Sequence, residues 1–248
     1  MNDSIIYALD FDGVICDSAI ETALSGWKAA RQIWPDMAQE APTERIEQFR
    51  QVRPIIETGY EAILTLRLLE QGKSLSQIYR EHKADFAKLM QEADVSNEDL
   101  KALFGETRDR WIAEDQPQWV TKNPLYPGIA EKLRGLGNDT WYVITTKQER
   151  FVKEIFQYHG ISLTDENLFG LDRKLSKVEV LQRLLPQHPE QTLCFVEDRL
   201  PTLVKVAEEP TLKPVKLVFA LWGYNTDEDK AQARSHGFTG QSLDNFVN

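Results

Sequence analysis

Apolar positions are distributed along this chain in two different ways. Ile5-Ile6-Tyr7-Ala8-Leu9 is a nearly unbroken run of strand formers that stops at Asp10-Phe11-Asp12-Gly13. That pattern predicts a strand buried on both faces of a parallel sheet and ending at two carboxylates. Between 18 and 117 the β-rich runs vanish and apolar residues recur every three or four positions with charges between them. The spacing predicts helices over 21–34, 43–52, 60–71, 75–92 and 97–114, each with one apolar stripe, such as Ile78, Phe86, Leu89 and Met90. Pro42-Thr43, Ser74 and Ser96 supply starts, and Gly59 and Gly72 supply stops.

From about Pro117 strands and helices alternate again. A short helix opens at Pro127-Gly128 and runs through Leu136, after which Asp139 and Thr140 lead into the strand Trp141-Tyr142-Val143-Ile144-Thr145. A helix over 149–159, the segment Asn167-Leu168-Phe169-Gly170 and a helix over 177–185 precede the strand Thr192-Leu193-Cys194-Phe195-Val196. A helix over 200–208 and a strand over 216–221 follow. This order predicts an α/β fold, a Rossmann-like doubly wound parallel sheet, with an α-helical section inserted after the first strand. The expected division is a core of 1–17 and 118–248 and a helical domain of 18–117. A lid or cap that excludes water and reads the substrate is the natural role for such an insertion, and helices that simply extend the fold are the alternative.

Composition narrows the class. Of 248 residues 42% are hydrophobic and 27% charged, which argues against disorder and fibrous structure. Lys+Arg 29 against Asp+Glu 39 gives a net charge of −10 and there is no long basic run, so a nucleic-acid surface is not expected. The chain goes from Met-Asn-Asp-Ser directly into the first strand and has no span of membrane-crossing length, so neither a secretory signal nor a membrane partner is expected. Cys16 and Cys194 read as small packing residues in a reducing compartment, and the expected location is cytoplasmic. His82, His159, His188 and His236 show no ligand spacing, and Trp27, Trp34, Trp111 and Trp119 read as packing residues.

The candidate chemistry lies where strands end. Asp10 and Asp12 follow the first, Thr145 and Thr146 the second, Glu197 and Asp198 the third, and Lys177 opens an intervening helix. In a parallel sheet these groups converge on one edge. Two close carboxylates need a cation or a proton to share a dry site. Hard oxygen ligands suit Mg²⁺, and a hydroxyl and a lysine suit phosphoryl oxygens. Alone, Asp-x-Asp also fits a solvated acidic turn.

Four ordered motifs together resemble the haloacid dehalogenase-like superfamily of phosphatases and phosphotransferases. They are Asp10-Phe11-Asp12-Gly13-Val14-Ile15-Cys16-Asp17-Ser18, Val143-Ile144-Thr145-Thr146-Lys147, Lys177 with its helix, and Phe195-Val196-Glu197-Asp198. The resemblance implies that Asp10 is a nucleophile forming an aspartyl-phosphate and that Asp12 protonates the leaving oxygen and then activates water. It further implies that Thr145 and Lys177 hold the transferring oxygens, with Thr146 and Gly13 on the phosphate side. Mg²⁺ would be bound by Asp10, the carbonyl of Asp12 and Asp198, with Glu197 supporting metal-bound water. A cap inserted after the first motif resembles the family's helical type, whose members act on small organic phosphates.

Departures from the commonest pattern are Thr146 in place of asparagine, Glu197-Asp198 in place of Gly-Asp or Asp-Asp, and Thr202 in place of a second aspartate. Lys174 competes for the lysine role, but Ser176 fits an N-cap that puts Lys177 in the first helical turn. The expected function is Mg²⁺-dependent hydrolysis of a small phosphorylated metabolite. Alternatives are a phosphomutase of the same superfamily and a catalytically silent binding protein. Retention of Asp12 weighs against carbon–halogen cleavage, since relatives doing that chemistry lack it.

Overall fold

The computed structural model describes residues 4–136 and 141–248. Asp139 and Thr140, expected to lead into the second strand, lie outside the described residues. The chain forms two compact units, one of Met1–Asp17 and Pro124–Asn248 and the other of Ser18–Asn123.

In the first unit six parallel strands are ordered β3-β2-β1-β4-β5-β6. They are β1 (Ile5–Leu9), β2 (Trp141–Ile144), β3 (Leu168–Phe169), β4 (Thr192–Glu197), β5 (Lys216–Ala220) and β6 (Thr239–Gln241). Because β1 lies between β2 and β4, with Leu9 opposite Val143 on one side and Val196 on the other, the strand order reverses beside it. That reversal opens a crevice beyond the carboxyl ends of the strands, where ligands bind in open α/β sheets.

Alternation of side chains along β1 covers both its faces. Ile6 and Ala8 join a core with Leu181 and Leu184 of α8 (Lys177–Leu184) and Leu203 and Val206 of α9 (Leu200–Ala207). On the opposite face Phe156 of α7 (Glu149–Tyr158) meets Trp141 and Phe11 edge-on at 5.9 and 5.5 Å between ring centres. Fully covered faces explain why the strands read as apolar runs rather than alternating ones.

The helical unit contains α1 (Ala19–Ile33), α2 (Thr43–Val52), α3 (Glu61–Glu70), α4 (Leu75–Ala93) and α5 (Asn97–Thr121). Trp27, Phe49, Leu66, Ile78, Leu100 and Phe104 belong to its apolar centre. Ser74 and Ser96 close capping boxes with Gln77 and Asp99, each satisfying orphan donors at a helix start. The helix expected over 97–114 loses helical geometry at Asp115 (φ −156°, ψ 77°), whose Oδ1 accepts from the Gln118 N–H at 2.9 Å and starts a further turn. Helix therefore continues past Pro117, and the second boundary between units falls at Asn123–Pro124 rather than at 117–118.

Candidate active site

The candidate residues at the strand ends all belong to the α/β unit. β1 ends at Leu9, yet the Asp10 N–H still bonds to the Val196 carbonyl at 3.0 Å, so the ladder carries the carboxylate to the edge of the sheet. The chain then turns tightly. Ile15 and Cys16 both donate backbone N–H to the Phe11 carbonyl at 2.9 Å, and Gly13 adopts φ +93°. A methyl group on Gly13 would stand 2.0 Å from Asp198 Oδ2, so both the turn and the close approach of β4's end require glycine here.

Lys177 reaches the strand ends from the first turn of α8, whose N-cap Ser176 forms a capping box with Glu179. Its Nζ lies 2.8 Å from Asp10 Oδ1 and 2.6 Å from Glu197 Oε2. Lys174, the competing lysine, is exposed in a left-handed turn at φ 54°. The carboxylates of Asp10, Glu197 and Asp198 are all buried, with one oxygen of each within 4.8 Å of the others. Burial drives the Asp10 carboxyl up to about 7, Lys177 opposing the rise and Glu197 and Asp12 adding to it. Burial lowers the Lys177 pKa, but Asp10 and Glu197 outweigh it and leave the ammonium strongly favoured.

Three carboxylates and one ammonium carry a net charge of about −2 when all are ionised, and a divalent cation with hard oxygen preference cancels that charge. Two glycines also keep space for the Asp198 carboxylate. A methyl group on Gly223 would lie 2.3 Å from Asp198 Cβ, as one on Gly13 would meet its oxygen. Donor chemistry and cradle thus fit Mg²⁺. Asp12 is not part of this cluster; its Oδ1 receives Lys147 Nζ at 2.9 Å. Glu197 Oε1 accepts the Arg199 N–H at 3.0 Å while Oε2 holds Lys177.

The end of β2 is tied similarly. Thr145 donates its N–H to the Phe169 carbonyl at 2.9 Å, and its Oγ1 accepts the Lys147 N–H at 3.0 Å. Thr145 is buried and Thr146, next to it, is half-buried. The structure therefore brings Asp10, Lys177, Glu197 and Asp198 into one cluster and sets Asp12 against Lys147.

Two contributors escape the sequence reading. Lys147 closes the second motif, Val143-Ile144-Thr145-Thr146-Lys147, but only the fold reveals its partner. The turn Gly223-Tyr224-Asn225, which follows β5, grips Asp198. The Tyr224 N–H donates to Asp198 Oδ2 at 2.6 Å, its hydroxyl donates to Asp17 Oδ1 at 2.8 Å, and Asn225 Nδ2 donates to the Asp198 carbonyl at 3.3 Å. No signal in one sequence ties this turn to Asp198.

No family model matches the chain. A phosphoglycolate phosphatase of Vibrio parahaemolyticus is 27% identical over 173 residues, covering 68% of this chain. That match spans 62% of the relative's own length. Among solved structures, a predicted phosphoglycolate phosphatase from Haemophilus somnus aligns over 100% of this chain and 96% of its own, at TM-score 0.59 and 16% identity. A haloacid dehalogenase-like protein of unknown function from Agrobacterium tumefaciens aligns over 99% of this chain and 95% of its own, at TM-score 0.51 and 11% identity.

Proposed function

Because this chain has the haloacid dehalogenase-like fold, with acids and a lysine gathered at its strand ends, we propose that it is a Mg²⁺-dependent phosphatase. The reading extends to hydrolysis of a small phosphorylated metabolite through an aspartyl-phosphate on Asp10. The observation that carries it is the buried cluster of Asp10, Glu197 and Asp198 with Lys177 between two of them. The 27% identical relative is named a phosphoglycolate phosphatase, which supports the phosphatase part of the reading. By its place in the chain order, the inserted helical unit corresponds to the fold's cap and is assigned substrate selection.

Asp10 attacks phosphorus, the bond from phosphorus to the leaving oxygen breaks, and that oxygen takes its electron pair and a proton from Asp12. A water then gives its proton to Asp12 and attacks the same phosphorus, and the Asp10 oxygen leaves as carboxylate. Lys177 and the Thr145 hydroxyl hold the transferring oxygens, with Thr146 and the turn at Gly13 beside them. Asp10, the carbonyl of Asp12 and Asp198 would hold Mg²⁺, which when bound supplies the charge that lets two anions meet. Glu197 serves through Lys177, which it holds directly.

The test is a panel of phosphorylated metabolites and an aryl phosphate assayed with Mg²⁺ and with EDTA, on the wild type and Asp10→Asn. Phosphate release that needs Mg²⁺ and disappears in Asp10→Asn is expected. Metal-independent release, or release by the Asn variant at the wild-type rate, would overturn the assignment.

A further inference from the structure

We propose that Lys147 is the positioning residue for Asp12, an inference that rests on the phosphatase reading above. Lys147 is 4% exposed, and lysine is almost never so buried unless paired. Its Nζ lies 2.9 Å from Asp12 Oδ1. Lys177 is committed to Asp10 and Glu197, so the two aspartates of the first motif are held by different ammonium groups. One serves the nucleophile and the other the proton carrier.

Lys147 is itself held at several points. Its N–H donates to Thr145 Oγ1 at 3.0 Å, and its carbonyl accepts the Leu171 N–H at 3.0 Å. A methyl group on Gly170 would come within 2.8 Å of that same carbonyl, so the backbone after β3 packs directly against it. The ammonium also sits 5.6 Å from the centre of the Phe11 ring, between the two aspartates in sequence. A side chain leaving so constrained a backbone fixes the rotamer of the carboxylate it binds. Asp12 follows the end of β1 in a tight turn, where an unanchored side chain has several staggered positions open to it. Proton transfer tolerates little error in that position, because misplacement by about 1 Å costs about 10²-fold.

This role separates from phosphate binding and from general support of the fold by its dependence on the leaving group. An alkyl phosphate needs a proton from Asp12 as its alkoxide departs. A dinitrophenyl phosphate does not, since dinitrophenolate leaves as the anion. The experiment measures alkyl phosphate turnover and the pre-steady-state burst of dinitrophenolate with substrate in excess over enzyme, for the wild type, Lys147→Met, Lys147→Arg and Asp10→Asn with saturating Mg²⁺. Lys147→Met should lose about 10²-fold with the alkyl ester and less than about 5-fold in the burst. Lys147→Arg, which keeps the charge, should recover the alkyl activity to within about 10-fold.

Equal losses with both esters in Lys147→Met would overturn the inference while leaving Asp10 as nucleophile. If Lys147→Met does not fold, a Lys147→Arg variant with both rates lowered alike overturns it equally, and one selectively slow with the alkyl ester supports it. A dinitrophenolate burst that persists in Asp10→Asn would overturn the phosphatase reading and this inference with it.

Discussion

Glu197 receives the Lys177 ammonium at 2.6 Å, closer than the 2.8 Å at which the same nitrogen meets Asp10. Glu197 is fully buried, and its other oxygen is bonded to the Arg199 N–H, so its geometry is set from both ends. Glu197→Gln keeps the shape and removes the charge that shares Lys177 with Asp10. The ammonium should then bind Asp10 more tightly and dull it as a nucleophile. The expected result is a fall in kcat of about 10-fold, against about 10²-fold or more for Lys177→Met. Glu197→Gln should lose roughly 1–3 kcal/mol of stability, and Lys177→Met, which takes the shared ammonium from two buried carboxylates, about 3–5 kcal/mol. Steady-state kinetics and urea denaturation check this, and a Glu197→Gln enzyme with wild-type kcat would contradict the shared-lysine account.

The raised pKa of Asp10 makes metal-free stability depend on pH in a definite direction. The group titrates near 3.9 in an unfolded chain and at about 7 in the folded one. Between these values the folded state keeps a proton that the unfolded state has released. The stability contributed by Asp10 is therefore fully present below about pH 4 and is lost as pH rises through about 7. In EDTA, the unfolding free energy of the wild type minus that of Asp10→Asn should fall by a few kcal/mol, to order of magnitude, between pH 4 and 7.5. Mg²⁺ at one hundred times its dissociation constant should restore about 2.7 kcal/mol to the wild type at pH 7.5. Parallel pH profiles for the two proteins would rule out the burial effect.

Gly13→Ala tests the cradle around Asp198. At φ +93° any side chain is strained, and the added carbon would stand 2.0 Å from Asp198 Oδ2. Gly72 offers the control, since it has φ +81° but nothing within 4 Å of an added carbon. Gly72→Ala should cost about 1–2 kcal/mol, the left-handed penalty alone, and leave the response to Mg²⁺ intact. Gly13→Ala should cost more and abolish the rise in Tm on adding Mg²⁺. Thermal denaturation with and without Mg²⁺ measures both, and an unchanged Mg²⁺ shift in Gly13→Ala would show that the cradle has no bearing on metal.

The parts of the molecule readable from sequence are those where burial leaves a periodic mark. β1 and β4 are covered on both faces and announce themselves as apolar runs ending in acids. Ser176 and Ser74 mark helix starts because capping is chemistry local to four residues. By contrast α10 (Asp227–Ser235) buries only Ala233, so it shows no stripe. A capping box of Thr226 and Asp229 closes its start in the structure. β6 and α11 (Leu243–Val247) are too short for a period to register. The pairings of Lys147 with Asp12 and of Tyr224 with Asp198 join residues 135 and 26 positions apart. Such pairings arise only from the sheet order, which no local pattern encodes.

The helical unit carries a buried charge pair of its own. Glu21 on α1 is fully buried and receives Arg108 of α5 through two bonds, Nε to Oε1 at 2.8 Å and Nη2 to Oε2 at 2.6 Å. Trp119 Nε1 and Ser25 Oγ also donate to Oε1, at 3.0 and 2.5 Å, and the Arg108 guanidinium lies 4.2 Å from the centre of the Phe104 ring. The network ties the first turns of α1 to the middle of α5 at Arg108 and to its last turn at Trp119, which is 98 residues from Glu21. Arg108→Met would leave the carboxylate buried without its charge partner, at a cost of about 3–5 kcal/mol. Replacing both, as Glu21→Leu with Arg108→Met, removes that uncompensated charge and should return most of the loss. Urea denaturation of the four proteins, followed by tryptophan fluorescence, gives the coupling energy. Arg108→Met within about 0.5 kcal/mol of wild type, the range of an ordinary surface change, would mean that the pair does not hold these helices together.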